Sequence, residues 1–160
     1  MRRDDFERLY EEHAQPLFGF LAYRTGDTAL AEDLLADTFE RALRARSRFD
    51  RRKASEKTWL YAIALNLLRD SARRSQTEKR ALERMPQQTP GSPDELAAVE
   101  HRDEVQRVLG ILSDEEREAI ALRFGGDLTV PEIAKLLKQP LPRIEGRVYR
   151  SLRKLRDELG

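Results

Sequence analysis

The 160-residue chain contains no cysteine, which excludes disulfides and thiolate metal sites and allows a reducing compartment. It has only two histidines, His13 and His101, far apart in the sequence, so metal or imidazole catalysis has little to build on. No apolar run approaches the roughly 20 residues that span a bilayer. The charged start MRRDDFER carries no signal-peptide pattern. There is no phosphate-cradling glycine loop and no recognisable nucleophile–base pair. These absences point away from an enzyme, a cofactor, a metal, a small-molecule substrate or membrane insertion, and towards a cytoplasmic protein. The hydrophobic fraction is 39% and the charged fraction 37%, a composition suited to small helical units with thin apolar stripes.

What the chain does have is charge in blocks. The formal net charge is only +1, but residues 4–40 carry 10 acidic side chains against 2 basic, and residues 41–80 carry 13 basic against 4 acidic. Residues 82–120 are acidic again, 10 against 4, and residues 121–160 basic, 9 against 5. An acidic block attracts basic protein surface and repels DNA, and a basic block does the reverse. The alternation fits a chain that engages a protein and DNA together.

The most informative stretch is TVPEIAKLLKQPLPRIEGRVYRSLRKLRDEL, Thr129 to Leu159. Thr129 and Glu132 form a T-x-x-E capping box, so a short helix should begin there and run to about Lys138. Pro140 and Pro142 then mark a turn, and Pro142 suits the first turn of a second helix. In that helix Leu141, Ile144, Val148, Leu152, Leu155 and Leu159 recur at helical spacing. Arg143, Arg147, Arg150 and Lys154 form a second row, about 130° around the helix axis. A short helix, a turn and a longer helix with segregated cations is the helix-turn-helix pattern, whose second helix enters the major groove. A basic row can equally be a solvated helix face.

Upstream, Asp5 to Tyr23 reads as a helix with a kink or break at Pro16, and Arg24 to Asp27 as a turn. Asp27 or Thr28 should cap a helix from about Ala29 to Arg46, whose polar face carries Glu32, Asp33, Asp37 and Glu40. Ser47 to Lys57 is a basic loop, and a helix from Thr58 to about Arg74 follows. Asn66 falls within that helix's wide apolar arc, where it would need partners. Trp59 and Tyr61 beside the basic loop combine ring faces with positive charge, as unpaired bases require. Core packing would explain the same aromatics. Residues 76–94 have a linker composition. Glu95 to Leu112 resumes a helix, and Ser113 with Glu116 makes a second capping box for a helix ended by Gly125-Gly126.

The expected fold is therefore all-α: two small helical domains joined by a flexible linker, the second a helix-turn-helix. Taken in order, FERLYEEH, AEDLLADTF, FDRRKASEKTWLYAIALNLLRDSARR, LSDEEREAIALRF and LTVPEIAKLLKQPLPRIEGRVYRSLRKL resemble the bacterial extracytoplasmic-function sigma factors of the sigma-70 family. The resemblance covers nearly the whole chain. It implies a sigma region 2 in residues 1–75, a linker over 76–94 and a sigma region 4 in 95–160. It also implies binding to core RNA polymerase through the acidic helix, at Glu32, Asp33, Asp37, Phe39 and Glu40. Unpaired minus-ten DNA would be held by Phe49, Arg51, Arg52, Lys53, Lys57, Trp59, Asn66, Arg69, Arg73 and Arg74. Duplex minus-thirty-five DNA would be read by Arg143, Glu145, Arg147, Arg150 and Lys154. No further domain is expected after Gly160, so an anti-sigma protein would supply the control. The competing reading is a free-standing helix-turn-helix regulator with an N-terminal interaction domain. The chain departs from the family pattern at Ala36, Lys138, Glu145 and Gly146. A mid-helix glycine costs about 1 kcal/mol relative to alanine.

Overall fold

The computed structural model describes residues 1–82 and 107–159, and these are helical with no strand among them. In the first unit, α1 (Arg3–Thr25) and α2 (Thr28–Ala45) meet at a tight turn. Gly26 ends α1 at φ 69°, a left-handed position that glycine occupies without steric cost. Asp27 then caps α2 by accepting from the Leu30 N–H at 3.2 Å. Pro16 does not break α1, which runs through it as one helix. A single 3₁₀ turn, Arg46–Arg48, leads to α3 (Glu56–Leu82), whose helix continues past the linker start expected at residue 76. The remainder of that expected linker, and most of the helix expected from Glu95, lie outside the described residues.

The second unit holds α4 (Asp114–Ile120), a π-helical turn at Ala121–Gly125, α5 (Val130–Leu137) and α6 (Leu141–Leu159). Both sequence-predicted capping boxes are present. The Glu116 N–H donates to Ser113 Oγ at 3.2 Å and the Ser113 N–H donates back to the Glu116 carboxylate at 3.0 Å. Thr129 and Glu132 repeat the exchange at 3.2 and 2.8 Å. Lys138 closes α5 at φ 55°, in the left-handed region where glycine is the commoner occupant.

The two units share one apolar core. Leu9, Leu17, Phe20, Leu21, Leu60, Tyr61, Leu122, Leu128 and Ile133 are all fully buried within it. Two glycines make this closeness possible. A Cβ added to Gly19 of α1 would stand 2.7 Å from the Gly125 carbonyl oxygen, so backbone meets backbone where any side chain would intrude. Tyr61 on α3 crosses the same seam, its buried hydroxyl donating to the Gly126 carbonyl at 3.0 Å. Burial above all pushes the phenol's pKa up, so it stays protonated and able to donate.

Candidate nucleic-acid interface

On α2, the period of the helix divides the side chains by chemistry. Ala31, Leu34, Thr38, Phe39 and Ala42 are buried, while Glu32, Asp33, Asp37 and Glu40 are exposed on the other side. Glu40 is paired with Arg44 one turn on, at 2.6 Å. Phe39 is not on the acidic face. Its ring is 6% exposed and packs edge-on against Phe6 and Tyr10, at centroid distances of 6.2 and 4.8 Å. The spacing that puts an acid at 37 turns residue 39 towards the core.

The basic loop and α3 form the second surface. Arg51, Arg52, Lys53, Arg69, Arg73 and Arg74 are exposed, with Arg51 near Glu56 at 3.4 Å and Arg73 near Asp70 at 3.4 Å. Trp59 is half-buried with its ring tilted against Phe49, centroids 5.1 Å apart. Tyr61 is wholly buried and presents no ring face to a base. Asn66 is exposed, because Leu65, Leu67 and Leu68 take the buried positions around it. Its side chain therefore needs no internal partner.

Two cations of this surface are held by the second unit. Lys57 donates to the Glu132 carboxylate at 3.3 Å and to the Asp127 carbonyl at 3.3 Å. Arg69 stands 3.6 Å from Glu118. Neither pairing was legible in the sequence, where the partners are dozens of residues apart.

On α6, Ile144, Val148 and Ser151 are buried and Leu155 partly so. Leu141, Leu152 and Leu159, expected to be buried with them, are exposed at 38%, 42% and 72%. Leu152, Leu155 and Leu159 line an apolar groove of about 580 Å³ with Tyr23, Ile120 and Phe124. The expected basic row is divided. Arg143 and Arg150 are exposed, as is Glu145 beside them. Arg147 is only 8% exposed, donating to the Gln139 side-chain oxygen at 2.9 Å and lying 3.4 Å from Glu115. Lys154 is half-exposed and donates to Glu116 at 2.8 Å. All four line one polar cleft with Ser113, Glu115, Glu116 and Gln139.

The glutamates of the two capping boxes thus do the same thing twice. Each holds its own helix start and accepts from a lysine of another helix, Glu116 from Lys154 and Glu132 from Lys57. The Lys154 hydrogen bond, chiefly, lowers the Glu116 pKa. For Glu132 burial pulls upward, but the Thr129 and Lys57 hydrogen bonds outweigh it and the net shift is downward. The box itself can be read from T-x-x-E or S-x-x-E. Its distant lysine cannot.

Taken together, these features define a two-unit protein, all-helical among the described residues, with a helix-turn-helix and a helix that carries an exposed acidic face. The sigma-70 region 2 model matches residues 9–78 and the sigma-70 region 4 model residues 108–157. The chain is 33% identical to the extracytoplasmic-function RNA polymerase sigma factor SigX of Bacillus subtilis, over 98% of this chain and 84% of that protein. It is also 33% identical to the RNA polymerase sigma factor CarQ of Myxococcus xanthus, over 99% of this chain and 91% of that one. Among solved structures it is similar to CnrH, determined in complex with the cytosolic domain of CnrY, with a TM-score of 0.72 and 26% identity over 99% of this chain and 89% of CnrH. RpoE of Bartonella quintana shares the fold, with a TM-score of 0.74 at 23% identity over 97% and 96% of the two chains. The chain belongs to the extracytoplasmic-function RNA polymerase sigma factors of the sigma-70 family.

Proposed function

We propose that this chain binds core RNA polymerase in the cytoplasm and directs it to promoters, with its two units doing different work. The exposed acids Glu32, Asp33, Asp37 and Glu40 on α2 dock on the polymerase. Phe39 contributes by fixing that helix from inside. The loop and helix carrying Arg51, Arg52, Lys53, Lys57, Arg69, Arg73 and Arg74 hold an unpaired strand, with Trp59 and Phe49 as the aromatic element and Asn66 exposed beside them. Extruding a base costs a few kcal/mol, which cationic and aromatic contacts repay. The second unit reads duplex DNA through Arg143, Glu145 and Arg150, while Arg147 and Lys154 hold the helix that carries them.

The observation that carries this reading is the segregation of charge within one compact unit. One helix presents carboxylates outward while the next loop and helix present cations. That arrangement can meet a basic protein surface and a polyanion at once. Control by an anti-sigma protein is part of this proposal; CnrH was solved with the cytosolic domain of CnrY, and the Bartonella RpoE with the anti-sigma factor NepR. Run-off transcription tests the proposal. Core polymerase supplemented with the full chain should produce RNA from a discrete start, and none without it. A free-standing helix-turn-helix regulator would bind DNA yet give no transcript from core alone.

A further inference from the structure

Gly146 lies inside the continuous helix α6, where the helix would be better served by almost any other residue. The structure shows what occupies the space. A Cβ built at position 146 would stand 2.9 Å from Nη1 of Arg150, 3.7 Å from its Cζ and 3.8 Å from its Nη2. The Arg150 guanidinium therefore lies back over the helix, one turn N-terminal of its own Cα. Helical side chains lean that way, and here the missing methyl lets the charged end rest against the backbone.

Two of the other three cations of the cleft are held by neighbours. Arg147 is held by Gln139 and Glu115, and Lys154 by Glu116. Among the described residues no carboxylate lies within ion-pair reach of Arg143 or Arg150. Folding Arg150 back over Gly146 moves its donors towards Arg143, at the N-terminal end of the helix. In helix-turn-helix proteins that end meets base edges.

We infer that Gly146 is a specificity-determining residue: a notch that seats the Arg150 guanidinium so that it reads a base edge in the major groove. Arginine donating to the two acceptors of guanine is the chemistry such a posture serves. The inference rests on the duplex-reading role proposed above for the second unit.

The test uses the full chain bound to core RNA polymerase, selecting from duplexes randomised in the upstream element. Wild type, Gly146→Ala, Arg150→Ala and the double variant are compared. Gly146→Ala favours the helix and should melt no lower than wild type, so any lost discrimination is not unfolding. Both single variants should flatten preference at the same base position, by about tenfold, and the double variant should match Arg150→Ala. Unchanged preference in Gly146→Ala overturns the inference. So does flattening at a position indifferent to Arg150, or uniform weakening across all sequences, which would make Arg150 a phosphate contact. If the wild-type chain with core selects no upstream sequence at all, the duplex-reading role itself falls, and this inference with it.

Discussion

Lys57 and Glu132 join the two units directly, ammonium to carboxylate at 3.3 Å, across 75 positions of sequence. Glu132 also holds the start of α5 through the Thr129 N–H. Its depressed pKa means that this stabilisation is present above the ordinary carboxylate range and is lost as pH falls through the lower, folded value. Glu132→Gln should remove it, costing about 1 kcal/mol, since both side chains are partly exposed. Urea unfolding between pH 3 and pH 7 checks this. The wild-type chain should lose stability with acid, and the variant should lose less.

His13 gives a second pH dependence with its own window. Burial lowers its pKa, against the opposing pull of Glu12, Glu56 and Glu132 and with a smaller lowering from Lys57. The folded chain therefore holds this ring neutral at pH values where the unfolded chain protonates it. Stability should fall as pH drops from about 6.5 towards the lower folded value. His13→Gln should flatten that part of the pH profile of the melting temperature.

Much of this was readable beforehand, for a physical reason. Capping boxes, the proline turn and the faces of α2 depend on residues a few positions apart, and local sequence encodes local geometry. Asn66 and Arg147 depart from the burial their helix positions imply, because burial is decided by neighbours. A wide apolar arc at Trp59 to Leu68 suggested a buried Asn66, but Leu65 fills the inward position. The register of Arg147 with Arg143 and Arg150 implies an exposed row, but Arg147 is 8% exposed and held by Gln139 and Glu115. The seam at Gly19, Tyr61 and Gly125 depends on residues dozens of positions apart, and no local pattern announces it.

Arg147 consequently behaves differently from Arg143. Arg147→Ala should destabilise the second unit by about 1–2 kcal/mol, through the lost Gln139 bond and the packing of its stem. The salt dependence of duplex binding by the folded variant should stay unchanged. Arg143→Ala should leave stability unaltered and reduce the salt slope by about 1, if its guanidinium meets phosphate. Titrating binding against salt for both variants separates a holding residue from a contacting one.

At the seam, Tyr61→Phe deletes the buried donor to the Gly126 carbonyl and leaves that oxygen unsatisfied, at about 1–2 kcal/mol. Gly19→Ala drives a methyl into the Gly125 carbonyl and should cost about 1–3 kcal/mol, unless the two units move apart. Urea unfolding with small-angle scattering distinguishes the two responses. A larger radius in Gly19→Ala at little loss of stability would show that the units separate readily.

Asp37 is exposed on the acidic face of α2 and supports nothing in the core. Asp37→Arg should leave the melting temperature nearly unchanged and weaken binding to core polymerase at least tenfold, measured by competition for labelled core. Unchanged affinity would remove α2 from the docking surface.

The most direct measurement of the central claim is permanganate footprinting of promoter DNA with core polymerase and the full chain. Unpaired thymines should become reactive near the transcription start, while the upstream element stays double-stranded but protected from nuclease, and core alone should do neither. Protection without any reactive thymine, or reactivity independent of the chain, would contradict it.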